Sequence, residues 1–263
     1  MTGSRRLVIL AVTLFVGCAD PAPQHTATVT SYPPAPAGLD LKLSTYLEAA
    51  RAHPQHAWRD PEPLNADGTV NGYVEIPKGE STKWEFSIPL NRREIDRMIP
   101  PELGGYPVNY GFLPRTISYD GDPADIVFLG PPIAGGDLVK GRVVGVMHMM
   151  DDGDLDSKVV ASPLDGRGAA TEALAAGDRD RLERFFNIYK NHQGKMTRIT
   201  GWGGEADARA FLEATSRFFR GGRSGPLSQV SGRRTRSLTS FGDRGPRGFL
   251  LSRRSSLTTI SWA

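Results

Sequence analysis

The chain has 263 residues and a hydrophobic content of 39%, enough to close a core in one large domain or in one domain with attachments. Its formal net charge of +3 is unevenly placed: residues 221–263 hold eight arginines against one aspartate and leave the remainder net acidic. That argues against a body built to hold nucleic acid, which would gain little of the phosphate attraction such binding needs, and the single cysteine excludes an intrachain disulfide.

The opening residues, MTGSRRLVILAVTLFVGC, give a charged start at Arg5 and Arg6, ten mostly apolar residues from Leu7 to Val16, and then Gly17 and Cys18. Ten helical residues cover about half of a hydrocarbon core, so residues 1–18 read as a signal peptide and not as a spanning helix. Cys18 stands where a bacterial lipoprotein signal is cut and acylated. The segment is similar to a lipobox, with Phe15 where leucine is commoner. The expectation is a protein of the cell envelope or periplasm attached to a membrane through Cys18; an unprocessed arm would leave it cytoplasmic. Residues 19–38, ADPAPQHTATVTSYPPAPAG, are rich in proline, alanine and threonine without an apolar period and predict a disordered linker.

Residues 39–220 read as the folded body. DLKLSTYLEAARAHPQHAWRD, residues 40–60, predicts a short helix ahead of a β-rich region. The pieces TVNGYVEIPKG, KWEFSIP, DIVFLGPP and LVKGRVVGVMHMMD are rich in β-branched and aromatic residues and bounded by glycine, proline or aspartate. Breaks every eight to twelve residues favour a small closed or highly curved barrel over a flat sheet. After residue 170 the period changes. Leu182, Phe185, Phe186 and Tyr189 recur at three and four, as do Ala208, Phe211, Leu212, Ala214 and Phe218, so two helices with one apolar face each should pack outside the strands. Residues 221–263 predict a disordered Arg/Ser/Gly-rich tail, able at most to hold nucleic acid or anionic lipid weakly.

The chemistry concentrates in acids. DGDPAD places Asp120, Asp122 and Asp125 on a loop entering a strand, with Gly121 for a tight turn and Pro123 fixing its exit. Bare carboxylates that close repel one another, so cations belong among them. A second cluster, MMDDGDLDSK, holds Asp151, Asp152, Asp154, Asp156 and Lys158. Oxygen ligands in such number, without a cysteine or histidine grouping, suit magnesium or manganese and argue against tetrahedral zinc. A calcium loop fails on spacing: from Asp152 the twelfth position is Pro163, and from Asp120 it is Pro131, where glutamate is required. Glu75, Lys83, Glu85, Arg97, Tyr106, Tyr110, Tyr189, Lys190 and Lys195 supply acids, cations and phenols around these clusters.

Taken in order, EIP, KWE, YPVNYG, DGDPADI, GVMHMMDDGDLDSK and FFNIYK over residues 68–220 resemble the soluble, magnesium-dependent inorganic pyrophosphatases, with DGDPADI as the family's aspartate signature. The resemblance implies a mainly β fold with flanking α-helices: a compact five-stranded OB-like closed barrel, assembled into homo-oligomers. It implies hydrolysis of inorganic pyrophosphate with several magnesium ions per site, for which manganese or another divalent ion can substitute. Asp120, Asp125, Asp151 and Asp156 would hold metal, and Glu75 would reach one through water. Asp122 resembles the general base and Tyr110 the phenol beside the attacking water. Lys83, Arg97, Tyr189 and Lys190 resemble the groups on phosphate oxygens, with Glu85, Tyr106, Lys158 and Lys195 in support.

Asp152 and Asp154 have no counterpart and read as loop acids. His148 replaces a common lysine and Met196 a common tryptophan, and Arg92 or Arg93 could compete with Arg97 for phosphate. Another small phosphate compound as substrate, or an inactive envelope scaffold acting through the tail, are the competing readings.

Overall fold

A computed structural model describes residues 32–223. The segment expected to be a signal peptide, with Cys18, the expected linker up to residue 31 and the tail from residue 224 lie outside the described residues. In chain order the elements are α1 (Leu39–Ala50), β1 (Val70–Ile76), β2 (Thr82–Ser87), β3 (Arg92–Met98), β4 (Asn109–Phe112), β5 (Asp125–Phe128) and β6 (Leu138–Asp151). They continue with β7 (Asp154–Leu155), β8 (Lys158–Pro163), α2 (Ala176–Phe186), β9 (Thr197–Gly203) and α3 (Glu205–Arg223). No helix among the described residues is long and apolar enough to cross a membrane.

The fold is mainly β with helices packed against it. β1 pairs antiparallel with both β4 and β6, β4 with β5, and β6 with β8, while β5 and β8 run parallel. β6 also pairs with β7 and β9. One strand can serve so many partners because it is long and bends, with register shifts between Val143 and Gly145 and between His148 and Met149. Close approach elsewhere depends on missing side chains. A Cβ on Gly111 of β4 would lie 1.8 Å from the Tyr73 carbonyl oxygen of β1. β2 and β3 form a separate two-stranded hairpin beside this sheet.

Three apolar clusters hold the layers together. Val74, Ile126, Val146 and Val159 pack on Ala208, Phe211 and Leu212 of α3, and Ile76, Val127, Met147 and Val160 on Leu182, Phe185 and Phe186 of α2. Leu39, Leu43 and Ala50, one face of α1, join Trp58, Phe86, Phe112 and Phe219. Each fully buried Leu or Phe contributes about 1.5–3 kcal/mol of transfer free energy.

Several boundaries differ from the sequence expectation. α2 begins only at Ala176, where the Asp178 carboxylate accepts a hydrogen bond from Ala175 N–H at 3.2 Å and starts the helix. α3 turns Phe219 fully inward and leaves Phe218 half-buried against Tyr119, and it runs to Arg223, beyond the expected end at residue 220. Linker residues 32–38, expected to be disordered, lie on the body: the Tyr32 and Phe211 rings are 5.2 Å apart and Tyr119 Oη donates to the Pro33 carbonyl at 2.9 Å.

Candidate active site

The DGDPAD turn is folded by its own polar groups. Asp122 N–H donates to Asp120 Oδ1 at 3.0 Å, Gly121 N–H to the Ser118 carbonyl at 3.0 Å, and Gly121 takes φ +83°, a left-handed conformation that glycine adopts freely. Asp120, Asp122 and Asp125 thereby face one cleft of about 450 Å³. Crowding by protein, followed by the Asp122 charge, pushes the Asp120 carboxyl up to about 7, although this group stays open to water at the cleft mouth.

Behind the turn, Asp125 opens β5 and stands in register with Lys158 on parallel β8. The wholly buried Lys158 Nζ lies 2.6 Å from Asp125 Oδ2 and 2.9 Å from Asp156 Oδ1. Burial alone would lower the lysine pKa, but the two carboxylates outweigh it and hold it well above the usual range. Burial drives the Asp156 carboxyl well upward against the pull of Lys158. Tyr110 Oη also donates to Asp125 Oδ2; burial, and then the Asp125 charge, raise that phenol far above its ordinary value.

Asp151 ends β6 and pairs with Lys190, while its Oδ1 is buried without a hydrogen-bond partner. Asp152 and Gly153 both have positive φ, 52° and 101°, as a two-residue hairpin between β6 and β7 requires. Asp152 is thus an exposed turn residue, and Asp154 is exposed at the start of β7. Glu75 is buried on β1, accepts Phe86 N–H at 2.6 Å, and is pushed up to about 8 by burial. Tyr106 and Tyr189 are buried in the wall, and burial raises the pKa of both phenols.

The β2–β3 hairpin brings in the cations. Lys83 Nζ contacts Asp96 Oδ2 at 2.8 Å and Glu85 Oε2 at 3.0 Å, and Arg97 Nη1 donates to the same Asp96 oxygen. Arg97 Nε and Nη2 are buried without partners. Arg93 is committed elsewhere: its Nη1 donates to the Glu75 carbonyl at 2.6 Å and its guanidinium stacks over Trp84. Arg92 pairs with Glu94 at the surface. Of the three arginines, Arg97 retains the unspent donors.

Twelve of the fifteen catalytic, binding and metal residues expected within the body line this cleft. Arg97, Lys158 and Lys195 do not: Arg97 joins it through Asp96, Lys158 sits behind Asp125 and Asp156, and Lys195 is exposed after the 3-10 turn Asn191–Gln193. His148 and Met196 lie outside it. The sequence reading missed Asp96, the anchor for Lys83 and Arg97. It also missed Lys42 and Tyr46 on α1, which donate to Asp122 Oδ1 at 2.8 and 2.9 Å. An i, i+4 pair of donors flanking the apolar face of α1 was the available signal.

Nine carboxylates and only two lysines line the cleft among the described residues. A polyanion would be repelled from such a wall without divalent cations. The donor set is hard oxygen throughout, and Asp151 Oδ1 stands ready, so the residues fit such ions. Among the described residues no three acids, imidazoles or thiols are drawn together as a closed metal site, and Lys158 and Lys190 are paired with three of the carboxylates.

The mainly β fold and its cleft of hard oxygen donors fit the class of proteins that work with divalent cations. The family model described as inorganic pyrophosphatase matches residues 72–220. An inorganic pyrophosphatase of Synechocystis sp. is 37% identical over 140 residues, covering 51% of this chain and 82% of its own length. That of Nostoc sp. is 34% identical over 158 residues, covering 58% and 93%. The crystal structure of the Thermus thermophilus inorganic pyrophosphatase aligns with TM-score 0.58 at 29% identity over 63% of this chain and 99% of the other. That from Neisseria gonorrhoeae aligns with TM-score 0.56 at 33% identity over 60% and 96%. The chain belongs to the inorganic pyrophosphatase family.

Proposed function

We propose that Asp122 accepts the proton of the attacking water as this chain hydrolyses inorganic pyrophosphate to two orthophosphates. The observation that carries this reading is the contrast among the acids of one cleft. Asp125 and Asp156 are both bonded to the buried Lys158 and Asp151 to Lys190, whereas Asp122 lines the cleft half-exposed and is bonded to Lys42 and Tyr46 through Oδ1 alone. The water oxygen attacks one phosphorus, the bond from that phosphorus to the bridging oxygen breaks, and its electron pair leaves with the second phosphate. Asp122 takes the water proton.

Asp120, Asp125, Asp151 and Asp156, with Glu75 acting through water, would hold divalent ions, magnesium by preference and manganese as substitute, whose Lewis acidity offsets substrate charge and acidifies water. Tyr110 stays a donor and fixes Asp125. The uncommitted Arg97 nitrogens suit a bidentate grip on phosphate, which lysine cannot reproduce. Lys83 and Lys190 oppose the charge gathering on the leaving group, and Tyr189, its phenol kept protonated, donates to it. Glu85, Tyr106 and Lys158 support these groups, and Lys195, exposed outside the cleft, has no contact with them among the described residues.

The cyclic pairing β1–β4–β5–β8–β6–β1 supports a closed five-stranded OB-like barrel. Homo-oligomerisation and membrane attachment through Cys18 belong to the same proposal. An anchored enzyme in the cell envelope would recover phosphate there.

The test is phosphate release from magnesium pyrophosphate by the chain starting at Ala19, beside Asp122→Asn. Release by the parent that falls about 10²–10⁴-fold in the variant, with the fold retained, supports the assignment. No release by a folded, magnesium-loaded parent refutes the function.

A further inference from the structure

α1 lies outside the residues that match the family, 72–220, yet it reaches the reacting end of the cleft. Its buried stripe of Leu39, Leu43 and Ala50 fixes the helix on the body, and two residues flanking that stripe turn toward the aspartate turn. Lys42 Nζ is 2.8 Å from Asp122 Oδ1 and 3.3 Å from the Asp120 carbonyl. Tyr46 Oη is 2.9 Å from the same Asp122 Oδ1. Both donors therefore converge on one oxygen of one carboxylate.

The convergence is built into the packing. The Tyr46 ring meets the wholly buried Trp58 edge-on at 5.9 Å, and Trp58 Nε1 donates to the Thr116 carbonyl at 2.9 Å on the segment leading to Asp122. Arg115 N–H returns a bond to the Trp58 carbonyl at 2.8 Å. Helix and turn thus share one anchor. Gly121 completes the fit, since a Cβ there would lie 2.6 Å from Lys42 Cδ and lift the lysine from its path across the turn.

We infer that Tyr46 and Lys42 are positioning residues for pyrophosphate hydrolysis, holding Asp122 through Oδ1 so that Oδ2 is presented to the water. A half-exposed aspartate otherwise samples several rotamers, and fixing one oxygen with two donors selects the orientation in which the other faces the cleft. This inference rests on the reading of Asp122 as the proton acceptor.

The experiment measures kcat and KM at saturating magnesium for Tyr46→Phe, Lys42→Met and Lys42→Arg, each in the parent and in Asp122→Asn. In the parent, Tyr46→Phe and Lys42→Met should each lower kcat about three- to tenfold, with KM within about twofold, and Lys42→Arg should restore most of the loss. In Asp122→Asn the same substitutions should have no further effect, because their route to the reaction is gone. Equal losses in both backgrounds, a rise in KM at constant kcat, or no loss in the parent would each overturn the positioning role. An unchanged kcat for Asp122→Asn alone would instead refute the proton-acceptor reading. Asp122 is half-exposed, so that variant should fold, and a melting curve checks it; should it fail, the kcat and KM changes in the parent background decide by themselves.

Discussion

Replacing Lys158 by methionine keeps the length of the side chain and removes the only charge between Asp125 and Asp156 that the structure provides there. The lysine side chain is 0% exposed, Asp125 18% and Asp156 8%, and the contacts are 2.6 and 2.9 Å. Breaking a buried pair leaves an uncompensated carboxylate and costs about 3–5 kcal/mol. At about 2–4 °C per kcal/mol for a domain of this size, the melting temperature in chelator at pH 7.5 should fall by about 6–20 °C. The deficit should shrink at pH 5, where protonation of the carboxylate left without its cation removes the uncompensated charge. It should shrink again at pH 7.5 with saturating magnesium. Calorimetry of parent and variant under the three conditions measures it. An equal deficit in all three would mean that Lys158 contributes packing alone, and no deficit would refute the paired-charge account of the cleft.

Alongside the buried Asp156, Glu75 and Asp120 contribute to the pH dependence of the chelated protein. Their folded pKa values, about 8 and about 7, lie above the ordinary 4.5 and 3.8, so their stabilisation is full below pH 4 and lost as pH rises toward 8. Melting temperature in chelator should decline across that window, with Glu75 contributing more than Asp120, which is open to water, and Glu75→Gln should reduce the decline; a slope unchanged in that variant would refute the assignment. Arg97→Lys should raise KM for pyrophosphate about tenfold while Arg93→Lys mainly lowers the melting temperature, and steady-state kinetics with the reverse ranking would move the phosphate role to Arg93. Gly111→Ala should lower stability in urea by about 3 kcal/mol, since its Cβ meets backbone, whereas Gly201→Ala, with open space around it, should be nearly neutral.

Among the elements, β6 was legible to the residue, because LVKGRVVGVMHMMD is a long run of strand formers ended by aspartates. β3 was not. RREIDRM is charged at five of its seven positions, and it becomes a strand only through its pairing with β2. With it went Asp96, whose value lies in holding two cations from a hairpin partner and its own neighbour. The order of the arginines shows the same limit: Arg92, Arg93 and Arg97 are alike as letters, and only the contacts with Glu94, Glu75 and Trp84 show which two are occupied.

By itself the sequence determined the acids, their spacing and the family, because DGDPAD shapes its turn with its own glycine, proline and side-chain acceptors. Hard carboxylates without soft ligands likewise name a class of metal from composition alone. Tertiary structure decided which charges meet. Lys158 finds Asp125 from 33 residues away, and Lys42 finds Asp122 from 80. Such pairs have no local code, since they form only when strands and helix pack on a common core and bring distant residues within hydrogen-bond reach.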